Sequence, residues 1–200
     1  MTISKQRLLE LYGLQEKIKV QFNDINILNQ AFIHPSLTNE KDLPPHDNNQ
    51  RLEFLGDAVL ELVISEHLYK NYNFFTEGQM SKIRSLIVCE PSLAKVARKL
   101  GLGDYLILGK GEENTGGRQK NSILADTLEA LIGAIYIDKN YSCAYDFIIG
   151  ILKEAILKAV DGDGDTDYKT NLQEVLQKTD SSRVLYKVIK ETGPDHDKVF

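Results

Sequence analysis

Two pairs of acidic residues have the spacing that places two carboxylates on one face of a helix. Glu53 and Asp57 are four residues apart. Asp126 and Glu129 are three residues apart. Residues at these separations lie one above the other on an α-helix. If the two helices face each other, four negative charges meet, which a folded protein tolerates when a divalent cation binds there. A site built only from carboxylate oxygens suits Mg²⁺ or Mn²⁺.

The residues around the first pair predict a helix that packs against protein. Apolar residues recur there at helical spacing: Leu52, Leu55, Val59 and Leu62. The face that carries Glu53 and Asp57 continues as Leu60 and Ile64, so it should be covered as well. A buried carboxylate is costly unless a cation compensates it. The alternative is that both carboxylates are solvated, with Leu60 and Ile64 at a partly exposed edge.

The second pair lies in a segment that predicts a central helix. Asp126 and Glu129 are the only charged residues between positions 122 and 137, and a helix that is apolar on nearly all sides is buried. Gly56 and Gly133 would let the two helices approach closely, although each Gly weakens its own helix by about 1 kcal/mol.

The remaining pattern predicts an all-α bundle with no strand before residue 160. We expect helices at 4–14, 24–33, 49–70, 76–89, 91–101, 122–137 and 141–160. Thr76 and Ser122 are the expected N-caps, and Thr76 also begins a capping box. Residues 38–48 and 109–117 should be loops because they are polar and rich in Pro or Gly. His34 stands at a helix end, where a structural hydrogen bond is a better interpretation than a metal ligand.

Composition and charge limit the classes to which the protein can belong. The chain has 200 residues, 42% of them hydrophobic, and a net charge of −5. Residues 81–120 hold eight Lys or Arg against four Asp or Glu, which is compatible with a phosphate-binding surface or an ordinary solvated face. The start has no apolar signal region, and no run has membrane-spanning length. We expect a soluble, cytoplasmic protein that does not bind a membrane.

Two longer stretches resemble the ribonuclease III family. Residues 49–60 read NQRLEFLGDAVL and resemble the family signature, and residues 125–136 read ADTLEALIGAIY and resemble its second characteristic block. The resemblance implies an all-α endonuclease domain in residues 1–160. It also implies cleavage of double-stranded RNA to 5′-phosphate and 3′-hydroxyl ends, in the processing of rRNA and other structured precursors.

The resemblance further implies roles for individual residues. The family's four metal-binding positions match Glu53, Asp57, Asp126 and Glu129, with Asp57 and Glu129 as catalytic residues and Mg²⁺ as the ion, for which Mn²⁺ can substitute. Phe54 matches the apolar knob that inserts into the partner subunit of a homodimer. Glu77 matches a further acidic position near the cleavage site. Gln50 stands where the family often has Glu, which removes a secondary carboxylate.

A second domain is expected at the end of the chain. Residues 161–167 are rich in Asp and Gly and predict a linker. Residues 168–200 resemble the start of an α/β double-stranded RNA-binding domain, with a helix and two strands present and the remainder missing. The residues of this domain expected to contact RNA are Thr170, Gln173, Glu174 and His196.

Two other functions would suit a helical bundle that is rich in carboxylates. A non-catalytic double-stranded RNA-binding scaffold on the same fold would be expected to lack one of the four carboxylates, and none is missing. A di-metal carboxylate protein with redox chemistry would need Glu-x-x-His pairs, and neither pair has a His.

Overall fold

The computed structural model describes residues 3–162, which form a bundle of helices. The helices are α1 (Lys5–Ile18), α2 (Ile25–Gln30), α3 (Pro35–Glu40), α4 (Gln50–Asn71), α5 (Glu77–Val88), α6 (Glu90–Lys99), α7 (Lys110–Asn114), α8 (Asn121–Asp138) and α9 (Tyr141–Val160). Short 3₁₀ turns lie at Pro45–Asp47, Leu102–Tyr105 and Gly117–Gln119. Within 3–162 the β-structure is one isolated bridge between Ile33 and Ile107, so the all-α prediction is confirmed for this part.

The central helix of the bundle is α8, as the sequence predicts. It packs against α4, α6 and α9, and its side chains are buried on nearly every side. Leu128, Leu131, Ile132 and Ile135 have no exposed surface. Apolar burial of this extent stabilises a fold by roughly 1.5 to 3 kcal/mol per large side chain. The helix that carries Asp126 and Glu129 is therefore held by its surroundings on all sides.

The α4 and α8 backbones touch at two glycines. A Cβ atom placed on Gly56 would lie 1.8 Å from the carbonyl oxygen of Glu129. A Cβ atom on Gly133 would lie 2.2 Å from the carbonyl oxygen of Leu52. No side chain fits at either position, so the close approach predicted from these glycines is confirmed. This contact sets Glu53 on α4 beside Glu129 on α8.

The face of α4 that carries the first carboxylate pair is covered by protein beyond Asp57, whose own side chain is exposed. Leu60 and Ile64, which continue that face, have no exposed surface. The alternative of an exposed edge at these two residues is therefore wrong. Leu62, expected on an apolar face with Leu52, is instead 56% exposed, because the core lies against the other sides of the helix.

Some helix ends follow local capping and others follow tertiary contacts. Thr76 forms the predicted capping box at the start of α5, and α9 spans the predicted residues. Ser122 does not cap α8, which begins one residue earlier, at Asn121. Just before this start, the Arg98 guanidinium on α6 donates a hydrogen bond of 2.8 Å to the carbonyl oxygen of Gln119. The predicted loop 109–117 contains α7, and a hydrogen bond from the Gly109 N–H to the Ser36 hydroxyl ties the start of this helix to α3.

The loop expected at 38–48 is also shorter than predicted. The end of α3 occupies its first residues, and a 3₁₀ turn occupies Pro45–Asp47. His34 caps α3, accepting a hydrogen bond from the Ser36 N–H at its Nδ1 atom. The structural interpretation of His34 is therefore confirmed.

Residues 3–161 belong to one compact unit. The partial RNA-binding domain predicted at 168–200, with Thr170, Gln173, Glu174 and His196, lies outside the described residues, as does the linker beyond residue 162. Among the helices of residues 3–162, none is long and apolar enough to cross a membrane.

Candidate metal centre

Three of the four predicted carboxylates meet between α4 and α8. Glu53, Asp126 and Glu129 each offer an oxygen, and these oxygens lie within 4.8 Å of one another. All three side chains are half-buried. Glu53 stands three residues before Gly56, and Asp126 and Glu129 lie in the turns of α8 that precede Gly133. The backbone contact at the two glycines therefore brings the carboxylates of the two helices together.

The crowding of negative charge raises the pKa values of these groups. Burial first, and then the charges of Asp126 and Asp57, raise the pKa of Glu53 from 4.5 to about 7. Burial, followed by Asp57, Asp126 and Glu53, raises the pKa of Glu129 from 4.5 to about 8. The pKa of Asp126 is raised by burial and by the charge of Glu90. None of the ion pairs between residues 3 and 162 involves these groups.

Asp57, the fourth predicted carboxylate, lies at the edge of this group. Its side chain is exposed, and its oxygens are not among the three that meet within 4.8 Å. Its charge nevertheless raises the pKa values of both Glu53 and Glu129. The structure therefore makes a half-buried trio with one solvent-facing carboxylate beside it.

These residues fit a hard divalent cation. Carboxylate oxygens are the donors that Mg²⁺ and Mn²⁺ prefer, and the trio lacks a compensating Lys or Arg within residues 3–162. An uncompensated group of this kind binds protons, as the raised pKa values show, or binds a cation that displaces them. A second observation agrees with a ligand site here. The side-chain amide of Asn49, one turn before Glu53, is buried and has no hydrogen-bond partner among residues 3–162.

Two residues near the centre were missed by sequence reasoning. Glu90 is the first residue of α6, and its charge reaches Asp126 because α6 packs on α8. Asn49 directly precedes α4 and is 1% exposed. No local pattern marks either residue, because Glu90 meets the centre through helix packing and an Asn before a helix is ordinarily only a cap.

Phe54 and Glu77 lie away from the carboxylate trio. Phe54 is 81% exposed on α4. Glu77 is the first residue of α5 and accepts a hydrogen bond of 2.8 Å from the Ser81 hydroxyl. It lines a groove of about 440 Å³ between α4 and α5, together with Leu62, Tyr69 and other residues.

Comparisons with known proteins show which proteins this chain is similar to. A family model described as Ribonuclease-III-like matches residues 24–156. Ribonuclease 3 of Borreliella afzelii is 47% identical over 198 residues, which are 98% of this chain and 80% of that protein. Ribonuclease 3 of Desulforamulus reducens is 49% identical over 187 residues, covering 94% of this chain and 76% of that protein.

A solved structure gives the same result at the level of the fold. The nuclease domain of ribonuclease III from Campylobacter jejuni superposes with a TM-score of 0.67 at 39% identity. The match covers 72% of this chain and 97% of that domain. That domain shows structural flexibility in a region involved in dimer formation.

Proposed function

This chain belongs to the ribonuclease III family, and on that premise we propose that it is a metal-dependent endonuclease of double-stranded RNA. The observation that carries the proposal is the trio of Glu53, Asp126 and Glu129 in residues 3–162, half-buried and without a cationic partner. A non-catalytic RNA-binding scaffold would gain nothing from such a group, because its charges weaken the fold unless a cation binds.

We propose Mg²⁺ as the ion, with Mn²⁺ as a substitute. When bound, the cation supplies Lewis-acid stabilisation of the phosphate and of the leaving oxygen, and it makes water a better nucleophile. In the hydrolysis a water oxygen bonds to phosphorus, the bond to the 3′ oxygen breaks, and that oxygen takes a proton. The products are a 5′-phosphate and a 3′-hydroxyl, as in the family.

The four carboxylates differ in their exposure, and we assign their roles accordingly. Glu53, Asp126 and Glu129 would hold the cation from the protein side, because they are half-buried and close together. Asp57 is exposed beside them, so its carboxylate is accessible to water and to the RNA backbone. We assign Asp57 and Glu129 the catalytic roles, with Asp57 on the solvent side and Glu129 on the protein side of the centre.

Cleavage of three matched substrates tests the proposed function. The protein should cut a long RNA duplex in Mg²⁺ and leave single-stranded RNA and duplex DNA of the same sequence largely intact, since A-form RNA is recognised by shape and by 2′-hydroxyls. Chelation of the metal should abolish cutting, and Mn²⁺ should restore it. Equal cutting of duplex DNA, or cutting that survives chelation, would contradict the proposal.

We also propose a homodimer through α4. Phe54, Leu62 and Tyr69 are separated by eight and seven residues, about two turns each, so they share one face of α4. They are 81%, 56% and 74% exposed. Exposed apolar residues in one row on a soluble protein mark an interaction surface.

The spacing along this row suits a two-fold axis. At 1.5 Å per residue, Phe54 lies about 12 Å from Leu62 on one side, and Tyr69 lies about 10 Å from it on the other. Two α4 helices that cross antiparallel near Leu62 would set each Phe54 against the partner's groove beside Tyr69. The same patch then serves both subunits, as two-fold symmetry requires.

The end of the chain would add affinity for the duplex. We propose that residues 168–200 belong to a double-stranded RNA-binding domain joined by a linker at 161–167. Thr170, Gln173, Glu174 and His196 would contact the minor groove, for which polar side chains are suited. Replacing these four by Ala should weaken binding of duplex RNA in the full-length protein; unchanged affinity would refute their role.

A further inference from the structure

Two adjacent asparagines at the start of α4 are equally buried but differ in their hydrogen bonds. Asn48 is 2% exposed; its amide donates to the Thr38 hydroxyl at 3.2 Å and accepts from the Gln50 N–H at 3.0 Å. Asn49 is 1% exposed, and neither its Oδ1 nor its Nδ2 has a partner within residues 3–162. Buried amides in folded proteins are nearly always paired, so Asn49 needs an explanation.

The backbone of Asn49 is held tightly, which fixes the point from which its side chain projects. Its N–H donates 2.9 Å to the Ile33 carbonyl, and its own carbonyl accepts 2.9 Å from the Glu53 N–H. Asn48, not Asn49, supplies the side-chain cap of α4. Asn49 therefore has no structural bond to make as a cap.

The candidate partner of the Asn49 amide is the carboxylate of Glu53. The two residues are four apart, so they lie one above the other on the same face of α4. Side chains of a helix lean towards its N-terminus, which directs the Glu53 carboxylate back towards Asn49. Glu53 is one of the three carboxylates that meet at the metal centre.

We propose that Asn49 is a positioning residue of the metal centre, whose amide hydrogen-bonds the Glu53 carboxylate when that carboxylate binds the cation. This inference rests on the proposed function. A carboxylate accepts hydrogen bonds and cannot donate them, while the Asn49 NH₂ group is a donor without an acceptor. One carboxylate oxygen can bind the ion while the other accepts from Asn49. Carboxylates that bind metals are ordinarily held by such a bond.

Metal binding and melting of two variants test the proposal on the full chain. Asn49→Leu removes the amide and keeps the branching of the side chain at Cγ. The control is Thr38→Val, because Thr38 is 1% exposed in the same region and its hydroxyl is paired with both Pro35 and Asn48. Mn²⁺ affinity is measured by calorimetry, which needs no RNA and no turnover, and Tm is measured without metal.

The two variants should behave in opposite ways. Asn49→Leu should bind Mn²⁺ about ten- to a hundred-fold more weakly than the unmodified chain, the usual loss when a group that orients a ligand is removed. Its Tm without metal should hold or rise, because an unpaired buried amide is removed. Thr38→Val should lower the Tm and leave Mn²⁺ affinity unchanged, because the hydrogen bonds that it removes join Thr38 to Pro35 and Asn48 and involve none of the three carboxylates.

Each other outcome overturns the inference in a distinguishable way. If Asn49→Leu binds Mn²⁺ as tightly as the unmodified chain, Asn49 does not position Glu53, and the endonuclease function stands. If the unmodified chain binds no Mn²⁺, the proposed metal centre falls and the inference with it. Should Asn49→Leu fail to fold, Asn49→Ala removes the same amide with a smaller side chain, and unchanged Mn²⁺ affinity in that variant refutes the proposal equally.

Discussion

Replacing Glu129 by Gln tests whether its carboxylate serves the metal or the fold. Burial, followed by the charges of Asp57, Asp126 and Glu53, raises the pKa of Glu129 from 4.5 to about 8. The folded protein therefore holds this proton more tightly than the unfolded chain does. Its metal-free stability is highest below pH 4.5 and falls as the pH rises to about 8, by about 1.4 kcal/mol per pH unit for one group.

The magnitude at neutral pH follows from this slope. At pH 7 the accumulated loss in the free energy of unfolding is about 3 kcal/mol. We reduce it to about 2 kcal/mol, because Glu129 is half-buried and solvent screens its charge. Gln has the same shape without the charge, so Glu129→Gln should regain this amount, or about 4 to 8 °C in Tm for a domain of this size. At pH 4 the gain should vanish, because Glu129 is then protonated in both states.

Melting and cleavage of the same protein samples provide the assay. Mg²⁺ should raise the Tm of the unmodified chain and not that of Glu129→Gln, since a ligand stabilises only the state that binds it. Cleavage of duplex RNA should fall by about 100-fold or more, as when one group that stabilises transition-state charge is lost. Binding of the duplex should survive, because it depends on separate phosphate and groove contacts.

A matched control separates this effect from the loss of any charge. Glu61 is an exposed carboxylate on α4, and Glu61→Gln should change neither the metal-dependent Tm nor cleavage. If Glu129 were a structural charge, Glu129→Gln would melt at a lower temperature without metal and the folded protein would cut normally. That pair of results would refute the reasoning.

Three further predictions concern the helix contact, the protons and the interface. Gly56→Ala should lower the free energy of unfolding by about 1 to 3 kcal/mol or more and weaken Mn²⁺ binding. The control Gly150→Ala, whose added Cβ meets nothing within 4 Å, should stabilise the protein slightly. Denaturant unfolding of both variants measures the difference. Mn²⁺ affinity measured by calorimetry should rise between pH 6 and about 8 and then level off, because Glu53 and Glu129, with pKa values of about 7 and about 8, must release protons to bind it. Phe54→Ala should weaken the homodimer by about 2 kcal/mol, seen by sedimentation, and a monomeric unmodified chain at micromolar concentration would contradict the interface.

Features that depend on neighbouring residues could be predicted from the sequence. The period of apolar residues identified α4, α8 and α9, and the capping box at Thr76 marked the start of α5. The two carboxylate pairs were visible because a helix repeats every three to four residues. The same period aligned the first pair with Leu60 and Ile64, and these two apolar residues are buried. Each of these features rests on hydrogen bonds and spacings within one segment.

The way in which the helices meet depends on contacts between distant parts of the chain. The backbone contact at Gly56 and Gly133 sets how far α4 slides along α8, and a shift of one turn would part Glu53 from Glu129. The same contact leaves Asp57 exposed at the edge of the trio. Glu90 reaches the centre because α6 packs on α8. These relations join residues far apart in the chain, and local hydrogen bonding carries no record of them, because they depend on how closely the surfaces of different helices pack.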